Sequence, residues 1–192
     1  MNQRLTETTT LDAVISSTKR KHSLMDALLG AEEFRSSSTG AIETSDLQKE
    51  ISELFAYGRQ QDFEDGVYSK FSRQLVELIK SLQSTALLGV VASLIIHEKV
   101  NPVVAAEALK WIGNLEHPNT YYYRLWLLER SLLNSSSRVR DGAAIGLASM
   151  DDPHSIEPLK DAVKREKYAE LRLELERVIS QLDSQCHLSL ER

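Results

Sequence analysis

Pro118 and Pro153 stand 35 residues apart, and the residues ahead of them match in register. At that shift Val104 falls on Val139, Ala108 on Ala143, Ile112 on Leu147 and Leu115 on Met150, while the acidic Glu116 falls on Asp151. A further shift of 32 sets Val139-Arg140 on Leu171-Arg172 and Met150-Asp151 on Leu182-Asp183. Apolar residues at 104, 108, 112 and 115 follow the three- and four-residue steps of one helix face. A helical unit that returns every 32–35 residues cannot bury such a face alone and must stack on its neighbours. That is the condition for an α-solenoid.

The rest of the chain has the same grain. Ser45 with Gln48 reads as a capping box, followed by one face of Leu47, Ile51, Leu54 and Phe55 and a stop at Gly58. Gln60 to Gly66 is acidic and irregular, and Val67, Phe71, Leu75, Leu78, Ile79 and Leu82 form the next stripe. Thr85 to Glu98 is apolar nearly all round, which places that helix inside the domain. Asn101-Pro102 combines a cap with proline at the first helical position. Helices are expected over 121–133 and 138–150, then around Ile156, Leu159 and Val163, and last around Leu171, Leu175, Val178, Ile179 and Leu182. With 8 Gly and 4 Pro, the chain lacks the turn signals that an all-β fold needs every 8–12 residues. The expected fold is all-α: a short α-solenoid of about eight helices over 45–183, with 184–192 as a frayed tail.

The run Ser137-Arg138-Val139-Arg140-Asp141-Gly142-Ala143-Ala144-Ile145-Gly146-Leu147, followed by Asp151-Asp152-Pro153 and Ile156-Glu157-Pro158-Leu159, resembles a HEAT-like repeat of the short kind also seen in phycobilisome lyases. The resemblance is best over 135–166, fair over 101–183 and weak before that. It implies a HEAT-like solenoid, with Arg140 and Asp152 as a ladder pair joining adjacent elements. It speaks to fold more than to function, because such scaffolds host many activities. Gly142, Ala143, Ala144 and Gly146 are small enough to let helices approach closely. Glu170, Arg172, Glu174, Glu176 and Arg177 give the last helix the polar face that a terminal repeat requires.

Residues 1–44 read differently, as a Ser/Thr-rich flexible arm. Within it, Ser23 to Gly30 is a short amphipathic helix whose stripe includes Leu24 and Leu28. Seven or eight residues do not hold a helix in isolation. The island therefore docks either on its own domain or in the groove of a partner. Lys19 to His22 is read as a solvated basic run.

The net charge of −5 disfavours nucleic acid. The single Cys186 fits a reducing compartment. Neither a secretory signal nor a bilayer-length apolar run is seen, so the expectation is a cytoplasmic protein without a membrane partner. The five histidines show no metal-ligand spacing. Asp62 to Gly66 fails as a calcium loop because Arg73 occupies the twelfth position. No catalytic residue, metal or cofactor is expected.

The aromatics carry the remaining signal. Tyr121, Tyr122 and Tyr123 span 200° of a helix, so one core face cannot bury all three. Tyr121, Leu125, Leu128 and Leu132 make the core stripe, and Tyr122, Trp126 and Leu133 a second one beside it, with Tyr123 turned toward Arg130 and solvent. The second stripe packs on a neighbouring repeat or forms a partner surface, since Tyr and Trp are favoured contact residues. Trp111 fits either this patch or the core. The expected function is a non-catalytic adaptor or regulatory subunit that binds a protein partner through Tyr122, Tyr123 and Trp126, with Leu24 and Leu28 as a second contact. The alternative, implied by the resemblance alone, is a bilin or tetrapyrrole lyase or chaperone subunit.

Overall fold

In the computed structural model the described residues are 40–82 and 85–190, with side chains over 45–81 and 85–184. Thr44–Arg192 is one compact unit. The arm up to residue 39, with the island at 23–30, Leu24 and Leu28, lies outside the described residues, as do the side chains of Cys186 and His187.

Among the described residues eight helices follow in order: α1 (Gly40–Gly58), α2 (Lys70–Leu82), α3 (Thr85–Ile96), α4 (Pro102–Gly113), α5 (Tyr121–Ser131), α6 (Ser137–Met150), α7 (Ile156–Arg165) and α8 (Ala169–Leu190). No strand occurs among the described residues. Both register-setting prolines open a 3-10 turn, Pro118–Thr120 before α5 and Pro153–Ser155 before α7. Proline suits that position because it fixes φ and lacks the N–H that would have no acceptor there. The units are helical hairpins stacked in two layers. α2, α4, α6 and α8 succeed one another in one layer, with α3 beside α5 in the other. α7 and α8 pack together at the end of the stack.

The core follows the apolar stripes. Phe71, Leu75 and Ile79 of α2, Leu87, Leu88 and Val91 of α3, and Ala108, Leu109 and Ile112 of α4 are buried. So are Leu127 and Leu128 of α5, Ala143 and Leu147 of α6, Leu159 of α7, and Leu175 and Leu182 of α8. Asn101 caps α4, its Oδ1 accepting the Val103 N–H at 2.9 Å, with Pro102 at the first position.

Among the described helices, α4 and α6 approach most closely, backbone to backbone. A Cβ placed on Gly142 would lie 2.5 Å from the Ala106 carbonyl oxygen and 2.6 Å from its Cα. One on Gly146 would lie 2.7 Å from the Leu109 carbonyl oxygen, and one on Gly113 would strike the backbone of Gly146. Glycine inside a helix costs about 1 kcal/mol relative to alanine. Here it lets two backbones touch, so α4 and α6 share one dense seam.

Two boundaries differ from the sequence reading. α1 begins at Gly40, so Ser45 lies inside the helix and does not cap it. Serine costs only about half a kcal/mol in a helix interior, too little to force a start there. α8 continues to Leu190, past Asp183 and through most of the segment read as a frayed tail. Neither Gly nor Pro stands between 183 and 190 to stop it.

Candidate functional site

α5 carries the aromatic contacts expected from the sequence, and its surroundings decide which of them reach the surface. Arg124 is 2% exposed and sets the position of the helix. Its Nη1 donates to the Ile112 carbonyl at 3.0 Å and the Gly113 carbonyl at 3.4 Å. Nη2 donates to the His117 carbonyl at 3.4 Å, and Nε to the Thr120 hydroxyl at 3.3 Å. The last carbonyls of α4 have no partners within their own helix. A guanidinium satisfies them and suits the negative end of the helix dipole. Nothing in the apolar periodicity announces this role; the signal is an arginine amid Tyr121–Leu128.

The three tyrosines then separate. Tyr121 donates its hydroxyl to Asp152 Oδ2 at 2.5 Å, tying α5 to the turn before α7. Burial and the Asp152 carboxylate raise its pKa. Tyr122 is 61% exposed, its ring edge-on to Tyr121 with centroids 5.4 Å apart. Tyr123 is half-buried, its ring edge-on to Trp126 at 5.4 Å. Trp126 is only 3% exposed. The expectation of a surface tryptophan therefore fails. Leu125 to Leu128 are all buried, because α5 is packed against α3, α4 and α6 at once. Tyr123 likewise turns its ring to Trp126 instead of projecting toward solvent beside Arg130. Leu133, in the turn after α5, is 48% exposed. Trp111 belongs to neither of its expected settings. It is half-buried on α4, stacked on Tyr68 at 3.6 Å, and donates its indole N–H to Glu107 Oε1 at 2.6 Å.

The ladder implied by the resemblance is also redistributed. Arg140 does not pair with Asp152. Its Nε and Nη2 donate to the two oxygens of Glu166 at 2.7 and 2.9 Å, while Nη1 donates to the carbonyls of Asn134 and Ser135, each at 2.9 Å. Asn134 Nδ2 in turn donates to the Ile95 carbonyl at 3.3 Å, and Glu98 Oε1 accepts the Ser135 N–H at 3.2 Å. One line of polar contacts thus joins the C-terminal ends of α3, α5 and α7. Asp152 works at the opposite ends of the hairpins. It accepts from Tyr121 and from the His154 N–H at 2.9 Å, and its other contact is His154 Nδ1 at 2.7 Å. These contacts hold its carboxyl below the ordinary range despite the opposing effect of burial, which alone would raise it.

Comparison with known proteins agrees with this architecture. The family model of HEAT repeats matches residues 91–180. Residues 91–180 are HEAT-like repeats. The match is to HEAT repeats in general and does not single out the phycobilisome-lyase kind. No curated protein matches the chain, and no solved structure does. The HEAT-like stretch begins within α3 and ends within α8, so it takes in the α4–α6 crossing, Arg124 and both polar edges. No described helix is long and apolar enough to cross a membrane. Among the described residues no group of three or more His, Cys, Asp or Glu is placed to hold a metal ion.

Proposed function

We propose that the chain is a non-catalytic adaptor or regulatory subunit that binds a protein partner through the α5 face of its HEAT-like solenoid, with Tyr122 as the central contact. The observation that carries this reading is the exposure of Tyr122 on an anchored support. The ring is 61% exposed, rests edge-on against Tyr121, and Tyr121 is pinned by Asp152. A large aromatic held in place loses little conformational freedom on binding, which is why tyrosine is favoured at contact centres. Leu133, in the turn that follows α5, is also exposed, and Tyr123 and Trp126 pack edge-on against each other within the helix. HEAT repeats are commonly protein-interaction modules, which supports the general role.

The test is capture of partners from the native host with the tagged full chain, followed by affinity measurement with Tyr122→Ala. Loss of a central contact weakens binding by about tenfold or more, while stability changes by no more than about 0.5 kcal/mol. Failure to retain any protein defeats the adaptor reading. Wild-type affinity in Tyr122→Ala removes this face from it. Leu24→Asp with Leu28→Asp in the same assay tests the second proposed contact.

A further inference from the structure

Glu107 is a charged residue in an unusual place. It lies on α4 at 4% exposure and accepts the Trp111 indole N–H at 2.6 Å. Above it the segment 59–69, between α1 and α2, is fastened to α4 at two points. Lys110 Nζ donates to Asp65 Oδ1 at 2.8 Å, and Tyr68 stacks on Trp111 with ring centroids 3.6 Å apart. Gly66, at φ +76, gives the segment its turn. The fastening is peripheral, since the Asp65 side chain is 95% exposed and Tyr68 43% exposed. The same indole therefore carries the segment on its face and the buried carboxylate on its N–H.

We propose that residues 59–69 form a strap whose hold on α4 is set by proton binding at Glu107, acidification tightening it. An ionised carboxylate in this site loses its hydration, and the bond from Trp111 and the nearby Lys110 charge replace only part of it. The strap rests on Lys110 and Trp111, which stand one turn from Glu107 on the same face of α4, so opening it uncovers that face to water and relieves the cost. Burial raises the Glu107 pKa above the ordinary carboxylate value. The closed form therefore binds the proton more tightly than the open one, and by linkage closure is favoured as pH falls through that window. The charges bearing on Glu107 are Lys110 of α4 and Asp65 of the strap; on α6, which packs on α4, Asp141 feels the same two charges together with Arg138 and Glu174. Asp65 is held below its ordinary range by Lys110, so the outer fastening survives where Glu107 titrates.

The experiment follows two signals in the full chain by NMR between about pH 8 and about pH 5. One is the indole N–H of Trp111, assigned with Trp111→Phe. The other is amide exchange protection at Val67 and Phe71, whose N–H groups bond to Glu64 and to the Gln61 side chain. The expected result is a titrating indole signal and a several-fold rise in protection along the same curve on acidification. Glu107→Gln should abolish both pH dependences and keep protection at its acid level. Tyr68→Ala should lower protection at every pH while the indole still titrates. The proposal is overturned by an indole that does not titrate, by titration without a change in protection, by wild-type pH dependence in Glu107→Gln, or by unchanged protection in Tyr68→Ala.

Discussion

Arg140 and Glu166 meet side on, two guanidinium nitrogens donating to the two carboxylate oxygens at 2.7 and 2.9 Å. The Glu166 side chain is 1% exposed, and it also accepts the N–H groups of Lys167 and Tyr168. The pair links the first turn of α6 to the end of α7, and through the Asn134 carbonyl to the end of α5. Paired arrangement of this kind gives planar bidentate recognition that a lysine cannot reproduce.

Removing one partner leaves the other charged and enclosed. Arg140→Ala and Glu166→Ala should each lower stability by about 3–5 kcal/mol in denaturant unfolding. Arg140→Lys should recover only part, because a point charge cannot hold both oxygens and both carbonyls.

The same pair predicts an acid response. Hydrogen bonding from Arg140 holds the Glu166 pKa at about 2, below its ordinary 4.5. A depressed folded-state value means that the unfolded chain binds the proton first. The contribution is therefore complete above the ordinary carboxylate range and is lost as pH falls from about 5 toward about 2. Stability measured against pH should drop across that window in the wild type, and the drop should be shallower in Glu166→Gln.

The α4–α6 seam predicts the reverse of helix propensity. Gly142→Ala and Gly146→Ala would each gain about 1 kcal/mol as isolated helices. In the folded chain the new methyl meets the Ala106 or Leu109 backbone at 2.5–2.7 Å, and backbone cannot rotate away. Each variant should lose about 1–3 kcal/mol net, read as a lower melting temperature. A rise would show that the seam has slack.

Two left-handed residues respond differently to substitution. Asp151 (φ 52) ends α6 and is exposed, and Glu98 (φ 56) follows α3. Asp151→Gly should stabilise by about 0.5–1 kcal/mol, since glycine adopts that region freely. Glu98→Gly relieves the same strain but gives up the bond from the Ser135 N–H. Its stability should stay within about 0.5 kcal/mol of the wild type, and equal gains in both variants would remove Glu98 from the inter-hairpin line.

Arg124→Met keeps the length and loses the donors. The Gly113 carbonyl then loses its donor, while those of Ile112 and His117 keep the N–H groups of Leu115 and Thr120. Unfolding should show a loss of about 1–3 kcal/mol. An unchanged midpoint would mean that the α4 terminus finds other donors.

The period of the fold is written in the chain itself. Pro118 and Pro153 predict the spacing of the units, and both open the same 3-10 turn before the second helix of a hairpin. The stripes through Val104, Ala108, Ile112 and Leu147 name core residues correctly, because which side of a helix is apolar is a local property. Gly142 and Gly146 are legible as a close approach, although the residues they meet are not. Packing in three dimensions decides the rest. Trp126 reads as a surface contact and is buried, because whether a second apolar stripe faces water depends on how many helices surround it. Arg140 matches Asp152 by resemblance and instead holds Glu166. Charges pair across the distance that stacking creates, and the rise and rotation from one hairpin to the next are set by interhelical contacts such as the glycine seam.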